Sequence, residues 1–490
     1  MENLAINARK KITMDKYFSQ VKVVVPNNIK NIVNVSVRSD VISNEIANSF
    51  LIVNGKLYVD VVYISDENEI ESVSNIIDFV EKQKVNLMIS DLCANDCVKA
   101  ENITFSSSEV MFTVVHQTDV YGVYKYLVGE YSENKDEFVL QEKCFECVNL
   151  IASGEDRFVV AEELESNIEN AIVLSNSAKI IIGEIASALE KVVIDGKVIV
   201  STFYKDSDGI GECHKEIEFR QEIAVKQALP GMFANAVVRV SNIAVTPEQK
   251  EDKTVMTYVI DLFTKTYLYE ATTVRTYDDI FSLENELVPT YDYLELSLDD
   301  GYKYEQDVIL MQTDISKLED FDDIVGVYLP KIEVVELVDN AENASILSKI
   351  SAVGVYKTSK GLEKMDLSYD IKFDTDKEIT KNMTKVIPTV SISSFKVKAG
   401  KDLEISFSIG YKMMFEKTEC DKYVKSYEIK SPKELDRSAV KVYITKSNQS
   451  VFDVAKAINV RPEVILEQNE IDDVFDVEQK VYVYSPILFN

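Results

Sequence analysis

A chain of 490 residues is too long for one hydrophobic core and implies about three or four domains. Its 46% hydrophobic content excludes a mostly disordered chain, and 83 acidic against 53 basic residues give a net charge of −30 that repels phosphate backbones and argues against a nucleic-acid role. No run of about 18 apolar residues is present to span a membrane, and six cysteines are too sparse for a disulfide-built secreted scaffold.

Residues 1–30 open with "MENLAINARKKITMDKYF", basic but with no apolar run behind, which is not a secretory signal. A cytosolic protein is expected. The next 400 residues repeat themselves. "IVNGKLYVDVVYISDEN" at 52–68 returns as "VIDGKVIVSTFYKDSDG" at 193–209, with Gly55 and Gly196 aligned. Downstream, "ANDCVKAENITF" at 94–105 matches "ANAVVRVSNIAV" at 234–245. A weaker third copy, "LSKISAVGVYKTSKG" at 347–361, sets Tyr356 where Tyr63 and Tyr204 stand, with Ser348 in place of the glycine.

Within each copy apolar and polar residues alternate, with Val198, Val200, Thr202 and Tyr204 on one side and Ile199, Ser201 and Phe203 on the other. The Asn-Gly-Lys and Asp-Gly-Lys triplets read as hairpin turns. The expectation is a multidomain, mainly β protein: repeats at 31–130, 176–273 and 335–430, an acidic helical connection at 131–175 that includes "VVAEELESNIENAIVL" (159–174), and a second connection at 274–334. A small α+β module follows a linker within 431–490.

Catalytic signals are sparse. His116 and His214 fall in different copies, and His116, in "MFTVVHQT", reads as a satisfied strand residue. No glycine-rich phosphate loop, nucleophile elbow or His-Glu-x-x-His helix is present, and pairs such as Asp299–Asp300 and Asp322–Asp323 are expected by chance among so many carboxylates. Cys93, Cys97, Cys144 and Cys147 have two readings. They are four thiolates for zinc, or small core residues, as the alignment of Cys97 with Val237 suggests. Neither an enzyme nor a cofactor is expected.

At 441–446 "KVYITK" alternates as a strand with Val442 and Ile444 inward. "SVFDVAKAI" at 450–458 begins with a Ser/Asp capping pair, and Val451, Val454, Ala455 and Ile458 share one helical face. Asn459 ends that helix, Pro462 starts "PEVILEQN", and "KVYVYSP" forms a last strand.

This strand–helix–helix–strand order, with Lys446, the run Ser450-Val451-Phe452-Asp453-Val454-Ala455-Lys456, Asn469 and Gln479-Lys480-Val481, resembles the LysM family. The family's Gly-Asp in the first loop is here Asn448-Gln449, and its Pro-Gly before the last strand is Val477-Glu478. Tandem β repeats ending in one such module resemble the SipL family of spore coat morphogenetic proteins, with DUF3794 (SPOCS) domains. That resemblance implies a non-enzymatic adaptor for coat assembly in the mother-cell cytoplasm at the forespore surface. Its module would bind the coat morphogenetic ATPase, stage IV sporulation protein A, with other coat proteins as further partners. The alternative is a peptidoglycan- or N-acetylglucosamine-binding wall or cortex protein. The expected partner-binding residues are Phe452, lying off the apolar helix face, Lys446, Val440, and Asn448, Gln449 and Ser450 in the first loop.

Overall fold

The computed structural model describes residues 3–85, 89–129, 137–166, 168, 170–206, 209–250, 253–318, 320–340, 343–374, 385–399, 402–434, 440–469, 471 and 474–484. The chain is multidomain and mainly β, and one strand plan is drawn three times. In the first unit, β1 (Asn3–Thr13) and β2 (Tyr17–Val24) lead into a three-stranded meander of β3 (Ile29–Ala47), β4 (Phe50–Ser65) and β5 (Ile70–Lys84). β6 (Ile89–Phe105) and β7 (Glu109–Gly129) then form a hairpin, and β1 and β2 pair end to end along the far edge of β7.

The second unit has β8 (Phe138–Ser166), a meander of β9 (Ile172–Ala188), β10 (Lys191–Lys205) and β11 (Ile210–Ala224), and a hairpin of β12 (Phe233–Lys250) and β13 (Lys253–Ser282). β8 pairs with β13 along its whole length, so it does in one strand what β1 and β2 do in two. The third unit repeats this with β14 (Asn285–Asp314), the meander β15 (Phe321–Asn340), β16 (Asn343–Thr358) and β17 (Gly361–Asp374), and the hairpin β18 (Lys385–Ala399) and β19 (Asp402–Pro432). Strict alternation produces each core. In β4, Leu51, Val53, Leu57, Val59 and Val61 are buried in turn, and they pack with Val21, Val23, Phe112 and Val114 of the facing sheet.

Two expectations are corrected here. The acidic stretch 159–174 is not helical: it is strand to Ser166, and the next strand starts at Ile172. Phe158, Val160 and Leu164 alternate into the second core, and the ladder to β13 overrides the helix propensity of the intervening glutamates. The described residues of the two expected connections, 131–175 and 274–334, thus lie mostly in paired strands. Gly55 and Gly196 are likewise not turn residues but lie inside β4 and β10. The turns come earlier, at Asn48 and Ser49 (φ 51° and 65°) and at Glu190 (φ 60°).

The aligned glycines instead make room for an aromatic ring. Gly55 stands opposite Phe79 and Gly196 opposite Phe219 on the neighbouring strand. A Cβ on Gly55 would lie 2.4 Å from the Asp40 carbonyl oxygen and 2.5 Å from the Phe79 ring. In the third unit Ser348 faces Ile371, so no ring covers it and a side chain fits.

The units meet at two shared apolar clusters. Val62, Phe203 and Val355, each just before the aligned tyrosine of its copy, join Val33, Leu174 and Tyr328 from the first meander strands. Phe203 stacks on Tyr328 at 5.1 Å. Further along, Ile6, Ala8 and Tyr126 of the first unit meet Cys147 and Val274 of the second and Leu294 and Tyr423 of the third. Substituting Gly55→Ala is expected to cost about 1–3 kcal/mol by overpacking, whereas Ser348→Ala should stay within about 1 kcal/mol of wild type. Urea midpoints compare the two, and equal midpoints would refute the steric reading.

Candidate functional site

The two helices of the described residues lie in the C-terminal module. Strand β20 (Val440–Ile444) precedes a short β21 (Gln449–Ser450), α1 (Val451–Ile458), α2 (Pro462–Asn469), β22 (Val474–Phe475) and β23 (Lys480–Tyr484). Local chemistry sets these boundaries. The Ser450 hydroxyl accepts from the Asp453 amide at 3.0 Å, while the Asp453 carboxylate accepts from the Ser450 amide at 3.2 Å, a capping box. Asn459 closes α1 at φ 53°. The loop position that departs from the glycine of the LysM pattern, Asn448, also takes positive φ (61°), which asparagine tolerates better than other residues with a Cβ.

Phe452, expected as an exposed anchor, is only 7% exposed. It packs on Phe281 of β13 with ring centroids 5.2 Å apart, in a cluster with Val139, Val451, Val454, Ala455, Ile465, Phe475, Val481 and Val483. It leaves the apolar face of α1 because a second unit is waiting there. Around it, Lys456 Nζ donates to Asp279 Oδ2 at 2.6 Å, Asn459 Nδ2 to the Leu283 carbonyl at 2.8 Å, and Lys433 Nζ to Asn459 Oδ1 at 2.7 Å. Burial alone would raise the Asp279 pKa, but hydrogen bonds from Lys456 and Tyr291 outweigh it and hold the carboxyl below the usual range.

The other expected residues separate into two roles. Lys446, Asn448, Gln449 and Ser450 share one loop, with Lys446 and Asn448 exposed. Gln449 braces that loop, its Oε1 accepting from the Lys446 amide at 3.0 Å and its Nε2 donating to Tyr443 Oη at 3.1 Å. Ser450 serves the cap. Val440 lies at the far end of β20, exposed and opposite Tyr484.

Val442 and Ile444 do not point inward: they are 55% and 63% exposed. Register decides this, because β23 presents Val481 and Val483 to the core opposite Tyr443 and Lys441, and a two-stranded sheet with its core on one side buries a single parity. The Lys441 stem lies on the inner side while its Nζ donates to the Ile458 carbonyl at the end of α1, at 2.7 Å. The outer face therefore carries Val440, Val442, Ile444, Tyr482 and Tyr484, with Lys446 and Lys480 exposed at one end. The sequence pattern missed this surface because the apolar parity of β20, Val440, Val442 and Ile444, reads as the inward one, and only the pairing with β23 turns it outward.

The cysteines do not converge among the described residues. Cys93 and Cys147 are buried, while Cys144 and Cys97 are exposed, Cys97 against its expected core position. His214 lines a cleft of about 340 Å³ with Lys179, Ser201, Glu212, Lys331 and Phe395. Its Nδ1 lies 2.8 Å from Ser201 Oγ and its Nε2 3.3 Å from Glu212. Burial lowers the Lys179 pKa to about 8. Ser201 sits on a central strand paired on both sides, so the neighbouring amides are taken by ladders and do not form an oxyanion site. His116 is fully buried in β7. Burial alone would lower its pKa, but the Asp96 and Glu81 carboxyl groups beside the ring carry it up to about 9.

Two outcomes test the docking. Phe452→Ala is expected to cost about 3–5 kcal/mol of module stability, seen as a lower-melting transition of the module. Asp279 keeps a lowered folded pKa, so its contribution is full above the unfolded value near 4 and is lost as pH falls through the folded one. Hydrogen-exchange protection of α1 should therefore fall below about pH 4 in wild type and be reduced already at neutral pH in Asp279→Asn.

Residues 171–248, from the start of the second meander through most of β12, match the family model described as "SipL, SPOCS domain". No curated protein and no solved structure matches the chain. No described helix is long and apolar enough to cross a membrane. The second unit is thus similar to the SPOCS domain of the SipL family, and this supports a SipL-like, sporulation-related protein.

Proposed function

We propose that this chain is a non-enzymatic adaptor of spore coat assembly. In this reading it works in the mother-cell cytoplasm at the forespore surface. Its C-terminal unit is a LysM module that engages the coat morphogenetic ATPase, a protein like stage IV sporulation protein A. The observation that carries the reading is the open apolar face of β20 and β23, formed by Val440, Val442, Ile444, Tyr482 and Tyr484. An interface needs such a desolvatable centre with a charged rim, and Lys446 and Lys480 supply cationic groups beside it. The SPOCS match to the second unit supports the sporulation context. The buried setting of Phe452 moves the anchor from the helix to this sheet face, while Lys446, Asn448 and Val440 keep their place in the proposed contact.

The test is a quantitative pull-down of the coat ATPase by full-length protein. Ile444→Asp or Val442→Asp places a charge in the face without touching the module core, and either should weaken capture at least tenfold, on the order of the 2 kcal/mol that marks a hot spot. A surface change on the first unit, Lys22→Ala, should leave it unchanged. Capture undiminished by both aspartates would remove the proposed face, and retention on peptidoglycan without ATPase capture would remove the adaptor reading.

A further inference from the structure

A buried cluster in the first unit is required by neither the fold nor the adaptor reading. His116 on β7 and the Asp96 carboxylate on β6 are fully enclosed, and Glu81 on β5 is 2% exposed. His116 Nδ1 lies 2.9 Å from Glu81 Oε1 and 3.4 Å from Asp96 Oδ2. On the other side, Thr118 Oγ1 lies 2.8 Å from Glu81 Oε2 and 3.1 Å from Asp96 Oδ1.

With both carboxyl groups ionised, as they would be as ligands, the protons do not suffice for these contacts. Nδ1 carries at most one hydrogen for two carboxylate oxygens, and the Thr118 hydroxyl carries one for the other two. Glu81 Oε1 in fact accepts no hydrogen bond, although it is buried. Charge is equally short. Among the described residues the ion-pair partner of both Glu81 and Asp96 is His116, so two buried carboxyl groups share one imidazole.

The repeat shows that the cluster is not a folding requirement. Glu81 follows Phe79 by two positions, as Gln221 follows Phe219; Asp96 follows Ala94 as Ala236 follows Ala234. His116 pairs with Val98 as Thr264 pairs with Val238. The second unit folds on the same plan with glutamine, alanine and threonine in these places.

We propose that Glu81, Asp96 and His116 form a structural site for one divalent transition-metal cation, with Zn²⁺ the best match to one imidazole nitrogen and two carboxylate oxygens. The three donor atoms lie within 4.8 Å of one another. Ligands about 2.0–2.1 Å from a tetrahedral zinc stand about 3.3 Å apart, close to the Nδ1–oxygen spacings here. A supporting shell is also in place. Ser19 Oγ, 3.2 Å from His116 Nε2, takes that ring hydrogen when Nδ1 ligates, and Thr118 orients the outer carboxylate oxygens. Since Glu81 comes from the meander and Asp96 and His116 from the facing sheet, the cation ties the two sheets of the first unit together. Three protein donors leave the fourth tetrahedral position to a water or to a second carboxylate oxygen, and the enclosure keeps a substrate away from it.

Full-length protein freed of metal by chelator dialysis is titrated with Zn²⁺ and, for spectroscopy, Co²⁺. One equivalent should bind saturably, raise the melting temperature, and give a Co²⁺ spectrum with no thiolate charge-transfer band. Glu81→Gln, which installs the residue of the second unit, and Asp96→Asn should each weaken uptake at least tenfold in protein that circular dichroism shows to be folded. The proposal is overturned by folded wild type that takes up no equivalent, by uptake equal in both variants, or by a thiolate band assigning the cation to the cysteines.

Discussion

Everything in this molecule is arranged around the meeting of three sheets. Each meander contributes the residue before its aligned tyrosine, Val62, Phe203 and Val355, to one cluster closed by the stacked pair Phe203 and Tyr328. A central strand such as β10 therefore buries residues on both faces over part of its length. Val198 and Val200 fill the unit's own core while Phe203 fills the shared one. This double burial explains why the strands are rich in valine, isoleucine and aromatic residues on both parities, as buried sheets are. It also gives the repetition a physical cause, since corresponding residues meet at one place and constrain one another.

What was legible in the sequence follows from that. Alternation and repetition exposed the mainly β character because the pattern within a meander is local and period two. The extent of each unit was harder to read. β8 is built from glutamate-rich segments whose strand state depends on pairing with β13, from 88 residues (Ser166 with Thr254) to 144 residues (Phe138 with Ser282) away in the chain, and no local propensity encodes that partner. The equivalence of Gly55 and Gly196 is legible but their task is not, because a glycine making room for a cross-strand phenylalanine looks, in sequence, like a glycine making a turn. The helices and caps of the module were fully legible, since Ser450, Asp453, Asn459 and Pro462 act within one or two turns. The outer face of β20 was not, because its parity is imposed by β23. Glu81, Asp96 and His116 lie on three strands, and no spacing between them carries a signal.

The position of the module has a topological origin. β19 ends at Pro432 paired with Asn285, and the Lys433 amide donates to the Glu284 carbonyl at 2.8 Å. The third unit thus returns the chain to the turn between the second and third units, beside Phe281 and Leu283. Only a short tether separates Pro432 from Val440, so the module's effective concentration at that turn is high and a single aromatic contact with a few polar ones suffices to hold it.

Docking by one face fixes what the other faces can do. With Phe452 and the start of α1 turned toward β13, the sheet of β20 and β23 is held outward, and its apolar outer residues cannot fold back onto the body. A flexible tether would let such a face search for partners but would lose orientational freedom on binding; a docked module has already given up that freedom. The acidic body adds a second filter. A net charge of −30 disfavours anionic surfaces at long range, while Lys446 and Lys480 at the edge of the apolar face offer a local cationic contact. On the proposed reading, selectivity would come from the pairing of both features: an acidic partner lacking an apolar centre would gain too little from two lysines to overcome the repulsion, whereas an apolar patch with an acidic rim would gain from both.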